Sequence, residues 1–221
     1  MPKKTRMHLA GTAILGFLAL GFAFGQTTRK AGSPDLLPNY LLFSLSFPSF
    51  DETAAELTRF LTETYNISGD IDLLEFKHPD YAYRLLDGVH LSPIWGMEAE
   101  FLYYDRYHLN ALTSTGEVLR VKREALGFSL KGTGRYKVKN WFTLYGGVGA
   151  AYWRMDSKLS TASSTEDLVP TKTHDDGVDL LLSAALRKTI KDRLLLSLGW
   201  ETTAVDDADL STVTVSVGFK Y

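Results

Sequence analysis

The stretch WGMEAEFLYY (residues 95–104) changes character at every step. Trp95, Met97, Ala99, Phe101 and Tyr103 fall on one parity; Gly96, Glu98, Glu100, Leu102 and Tyr104 fall on the other. A strand points successive side chains to opposite faces, so one face here is greasy and the other carries two carboxylates. The pattern recurs. Leu126, Phe128 and Leu130 alternate with Gly127, Ser129 and Lys131; Leu180, Leu182 and Leu186 oppose Asp179, Ser183 and Arg187; Leu194, Leu196, Leu198 and Trp200 oppose Arg193, Ser197, Gly199 and Glu201. Period two marks half-buried strands. Alternation alone fits either a soluble barrel or one in lipid, so the content of the polar parity decides. It mixes both signs of charge with many glycines, which suits the crowded interior of a narrow eight-stranded barrel. The other parity is leucine, valine and aromatics, as a lipid-facing surface requires. A soluble lipocalin-like ligand binder is the alternative and needs the leucine face inside.

Working outward, the spacing predicts an all-β, eight-stranded antiparallel up-and-down transmembrane barrel. Its strands are 38–48, 81–92, 94–104, 118–138, 141–154, 178–190, 193–203 and 211–221. Residues 49–65 break the pattern. Leu57, Phe60 and Leu61 stand at helical spacing, and Ser49 with Glu52 has the spacing of a capping box, so a short helix is expected in the first long loop. The segment IDLLEF (71–76) reads as a ninth strand or as an extension of a neighbour. Tight turns fall at Ser92-Pro93, Val138–Asn140 and Lys191-Asp192. Longer polar links fall at 48–80, 105–117, 154–177 and 203–210. Short turns on one side and long loops on the other match a bacterial outer-membrane barrel with both termini in the periplasm.

Bulk properties agree. The chain has 221 residues, 45% hydrophobic and 23% charged, with net charge −2 and no cysteine. Mean hydropathy of −0.08 is too polar for a helical membrane bundle. There is no basic footprint for nucleic acid. Without cysteine there is no disulfide, thiol catalysis or cysteine-ligated metal. Lys3, Lys4 and Arg6 precede an apolar run ending in Ala23 and Gly25, the three parts of a secretory signal peptide. Cleavage is expected near Gly25, leaving residues 26–221 as the barrel.

Particular side chains have expected roles. Glu98, Glu100, Lys131, Arg135 and Arg187 form a lumen charge network, because an isolated buried charge is costly. Trp95, Trp141, Tyr152 and Trp200 are interfacial aromatics near strand ends. No catalytic residue, metal site or cofactor is expected, and the histidines lack metal-ligand spacing. His174, heading HDD beside Ser160, Ser163 and Ser164, is the weak candidate for an outer-membrane hydrolase. Asp206, Asp207 and Asp209 form an acidic loop tip.

Several motifs resemble the transmembrane domain of the outer membrane protein A (OmpA) family: GVHLSPIWGME (88–98), GGVGAAYWRMDSK (146–158), HDDGV (174–178) and DLSTVTVSVGFKY (209–221). The resemblance covers about residues 81–221. The OmpA C-terminal peptidoglycan-binding domain is not expected. VTVSVGFKY (213–221), with Val213, Val215, Val217, Phe219 and Tyr221 on one face, resembles the closing strand that the barrel-assembly machinery reads. The family carries a lumen glutamate that switches between basic partners, and it matches Glu98. The usual arginine and lysine positions hold Ser197 and Thr133, so the charges are rearranged; Lys131 and Arg187 stand nearby. The resemblance implies a non-enzymatic barrel in outer-membrane lipid and lipopolysaccharide. It would contribute to membrane integrity, and its loops would meet an extracellular partner. A narrow low-conductance pore is the alternative; an outer-membrane hydrolase is a more remote one.

Overall fold

Alternating strands joined by tight turns close on themselves. The computed structural model describes residues 38–50, 53–65, 67, 70–77, 79–138, 141–162, 171–205 and 208–221; the expected signal peptide lies outside them. The elements are β1 (Tyr40–Phe50), α1 (Ala54–Tyr65), β2 (Ile71–Lys77), β3 (Ala82–His90), β4 (Trp95–Thr113), β5 (Val118–Val138), β6 (Phe142–Ala162), β7 (Lys172–Ile190), β8 (Leu194–Val205) and β9 (Ala208–Lys220). Strands β1, β3, β4, β5, β6, β7, β8 and β9 pair antiparallel in that order. Strand β9 returns to β1, with Phe43 opposite Val217. The result is a closed eight-stranded barrel without edges at the level of lipid.

The leucine face is outside. Val178 is 68% exposed, Leu180 65% and Leu198 53%, while Leu181 on the opposite parity is 1% exposed. Among the described residues no helix is long and apolar enough to cross a membrane. At the short-turn end, Ser92 Oγ accepts from the Trp95 amide at 2.9 Å, fixing the β3–β4 turn. Lys191 and Asp192 take φ of 50° and 62° in the three-residue β7–β8 turn between Ile190 and Leu194, both in the left-handed region. The C-terminal Tyr221 reaches across β1, and its hydroxyl donates to Asp87 of β3 at 2.7 Å.

The strands on one side are longer than the sequence reading allowed. Strand β4 continues to Thr113, β6 runs to Ala162, β7 starts at Lys172, and β8 and β9 nearly meet between Val205 and Ala208. The expected polar loops 105–117 and 203–210 are therefore mostly strand, and 154–177 shrinks to the segment after Ala162. Smaller differences occur at β1 (40–50, not 38–48) and β3 (82–90, not 81–92). The physical reason is that the apolar residues change face while the alternation of β5 itself runs on unbroken. On β5, Leu126, Phe128 and Leu130 point outward, but farther up Leu119 and Val121 point inward while Arg120 and Lys122 face solvent. A 21-residue strand extends roughly 70 Å, about twice the 9–11 residues a tilted span needs.

Above the lipid the barrel opens. Strand β3 stops pairing with β1 at Ser46–Ala82, and β7 pairs with β8 only from Leu181 downward. Strand β2 pairs with β4 alone, from Ile71–Thr113 to Lys77–His108, with one bulge. It thus carries on along β4 where β3 ends, as an extension of that strand position. Strands β2, β4, β5, β6 and β7 form a raised wall. Helix α1 lies against its inner face, burying Leu57 and Leu61 on Leu109, Ala111, Leu119 and Val121.

The expected capping box Ser49/Glu52 is not the one used. Ser49 belongs to β1, and the reciprocal bonds join Thr53 and Glu56. Glu56 Oε2 accepts from the Thr53 amide at 2.7 Å, and Thr53 Oγ1 accepts from the Glu56 amide at 3.3 Å. The bonds from Thr53, its backbone amide first, hold the Glu56 carboxyl below the usual carboxylate value. This contribution is present above the unfolded pKa and is lost as pH falls through the folded one. Thr53→Ala is expected to weaken the helix by about 1 kcal/mol, read as faster amide exchange at the start of α1. In the parent, protection factors at the start of α1, taken relative to the intrinsic exchange rate at each pH, should fall on acidification, while the barrel strands stay protected.

Candidate functional site

The barrel interior is filled in layers. Nearest the short-turn end, Tyr40, Leu42, Leu86 and Leu195 form an apolar plug. Gly88 is required there, because a Cβ on it would lie 2.1 Å from the Tyr40 ring. Near the outer rim, Ala82, Tyr104, Tyr107, Ala125, Trp153, Met155 and Leu210 form a second apolar layer, with α1 above it.

Between the layers lies a belt of buried charge: Arg84, Lys131 and Arg187 against Glu98, Glu100 and Glu201. Period two places all six inward from β3, β4, β5, β7 and β8. Arg84 uses Nη1 on Glu100 at 3.2 Å and Nη2 on Glu201 at 2.6 Å. Lys131 Nζ reaches all three carboxylates, Glu201 at 2.9 Å, Glu100 at 3.3 Å and Glu98 at 3.5 Å. Arg187 Nη1 donates to Glu98 Oε1 and to the Tyr40 hydroxyl, both at 2.7 Å. The Tyr40 hydroxyl donates in turn to Glu98. The Arg187 guanidinium lies 4.1 Å from the Tyr145 ring centroid and 4.9 Å from that of Tyr40. Each charge has an opposite charge and at least one further polar partner, the condition under which buried ions are tolerated.

Of the expected network, Glu98, Glu100, Lys131 and Arg187 meet, and Arg135 does not. Its Nε donates to the Pro93 carbonyl at 2.6 Å at the short-turn mouth. Arg193 likewise sits exposed in the β7–β8 turn. Arg84 and Tyr40 were missed, and Glu201 was placed on the lumen face but not in the network. A lone arginine in the apolar run of β3, on the parity of Ala82 and Leu86, was the available signal for Arg84. Ser197 accepts from Arg187 Nε at 3.4 Å across the β7–β8 pair.

Trp95, Trp141, Tyr152 and Trp200 all face outward, with exposures between 42% and 72%. Trp153 faces inward and donates to Asp179 at 2.5 Å. His174 lies on the outer face opposite Asp156. Ser160 is four residues along β6 from Asp156, roughly 13 Å away, so these groups are not assembled as a triad. Ser163, Ser164, Asp206 and Asp207 lie outside the described residues. Among the described residues no cluster of His, Asp or Glu is arranged to hold a metal ion. The space left beside the belt is about 30 Å³, room for one or two waters.

Sequence comparison with curated proteins gives no match. Solved structures match in fold. OprG of Pseudomonas aeruginosa is 12% identical with a TM-score of 0.54, covering 85% of this chain and 97% of its own. Neisserial surface protein A is 11% identical with a TM-score of 0.50, covering 83% and 97%. Ail, the attachment invasion locus protein of Yersinia pestis, is 12% identical with a TM-score of 0.47, covering 83% and 97%. The profile of one family matches residues 17–221. Greasy outside, charged inside and closed in lipid, the chain belongs to the family described as the outer membrane protein beta-barrel domain and is an integral outer-membrane protein.

Proposed function

We propose that this barrel is a non-conducting, non-enzymatic scaffold that stiffens the outer membrane and presents the raised wall and α1 for recognition outside the cell. The observation that carries this reading is the layered interior: a neutral charge belt between two apolar plugs, with about 30 Å³ free. A pore needs a continuous wet path, and no layer here supplies one. The unassembled positions of His174 and the described serine favour a non-enzymatic role. The wall suits contact with lipopolysaccharide sugars or an extracellular protein, since its strands stand beyond the lipid-facing band. The face of Val213, Val215, Val217, Phe219 and Tyr221 supports recognition by the barrel-assembly machinery, and the outward aromatics support an interfacial girdle.

Planar-bilayer recording tests the reading. The parent protein is expected to give no stepwise current. Glu98→Ala with Arg187→Ala opens the belt only, so current is expected to stay near background, because both apolar layers remain in place. Steady channels from the parent would favour the narrow-pore reading instead.

A further inference from the structure

The short-turn rim is basic. Arg135 and Lys137 lie at the end of β5, Lys188 near the end of β7, Lys191 and Arg193 in the turn that follows, and Lys220 at the end of β9. The carboxylates beside them are Asp192 in the same turn and Asp87, whose Oδ1 accepts from Tyr221. None of the six cations makes an ion pair among the described residues. They are also close to one another: the Lys220 amide donates to the Arg193 carbonyl at 2.8 Å, and Lys220 feels Asp192 and then Arg135 and Lys137. Six cations against two carboxylates leave this rim positive, and gathered like charges destabilise a sheet end unless an outside anion neutralises them. The whole chain is net negative, so this rim runs against its overall balance.

The rim shares its level with Trp95, Tyr136 and Trp141, 60–72% exposed. Lys188 points outward, directly after Leu186 on the same face and opposite Leu196. Long basic side chains at such a boundary lay their stems on the apolar surface and hold their charge among headgroups. We propose that this rim binds anionic phospholipid headgroups of the periplasmic leaflet, the phosphodiester taking Lys188 and Lys191 with Lys137 and Arg193 beside them. The site rests on insertion in lipid and not on the closed lumen, so either can fail alone.

The test uses energy transfer from the native tryptophans, two of which sit at this rim, to labelled phosphatidylglycerol or phosphatidylcholine in vesicles. The full barrel is expected to gather phosphatidylglycerol, with selectivity falling about fivefold for each exposed cation removed. Lys137→Gln, Lys188→Gln, Lys191→Gln and Arg193→Gln together should abolish it. These side chains lie outside the lumen belt. Should that variant not fold, added salt must erase the parent's selectivity. Equal transfer to both lipids from the parent at low salt would overturn the proposal. So would selectivity that survives in the quadruple variant, or capture of an acidic polypeptide by the rim with no lipid preference.

Discussion

Lys131→Ala is expected to destabilise the barrel by about 3–5 kcal/mol, the largest single effect among the lumen side chains. Among the described residues Lys131 is the one cation that touches Glu98, Glu100 and Glu201 together. Its removal leaves three buried carboxylates sharing Arg84 and Arg187. Urea unfolding in lipid vesicles gives the measurement. Lys131→Met restores volume without charge and should remain nearly as unstable. Adding Glu201→Gln to Lys131→Met should recover much of the loss, because the belt is then neutral again. A mild loss in Lys131→Ala, or no recovery in the double variant, would mean that packing and not charge balance holds the belt.

Gly218→Val should be more drastic, because it acts on barrel closure. Gly218 pairs with Leu42 at the β1–β9 seam. A Cβ there would lie 1.9 Å from the Leu41 carbonyl oxygen and 2.8 Å from the Leu42 Cα. Both are backbone atoms, which cannot turn aside as a side chain can. An unclosed seam leaves two strands with unpaired amides and carbonyls in lipid, where each costs several kcal/mol. The expected result is no SDS-resistant folded band in unboiled samples. Gly146→Ala is the control: a Cβ there meets nothing within 4 Å, so the barrel should fold as before. A folded Gly218→Val barrel would place the seam elsewhere.

How far the sequence could be read depended on which rule a residue obeyed. Within the lipid-facing band, period two and the choice of residues on each parity located all eight strands and the direction of every face. Glu98, Lys131 and Arg187 were legible for the same reason. Beyond that band the apolar residues stand on the inward face, as Leu109 and Ala111 do on β4, so the search for outward leucines ended β4, β6 and β7 too early. Arg84 hid among apolar neighbours. Tyr40 looked like one more aromatic of β1, and its contact with Glu98 spans 58 residues of chain. Arg135 was misjudged because parity fixes a face but not a height: it shares the face of Lys131 but stands at the mouth. The helix cap shifted because Ser49 was taken up by β1, leaving Thr53 as the first free hydroxyl.

The central claim is that the greasy face meets lipid and the polar face is enclosed. The four tryptophans test it without foreign groups. Single-tryptophan variants, with the other three changed to phenylalanine, can be placed in vesicles of phospholipid brominated on its acyl chains. Trp95, Trp141 and Trp200, all facing outward, should be strongly quenched, while Trp153, 9% exposed and bonded to Asp179, should be spared. Quenching of Trp153 with sparing of Trp200 would turn the barrel inside out. Absence of quenching at all four would take it out of the membrane.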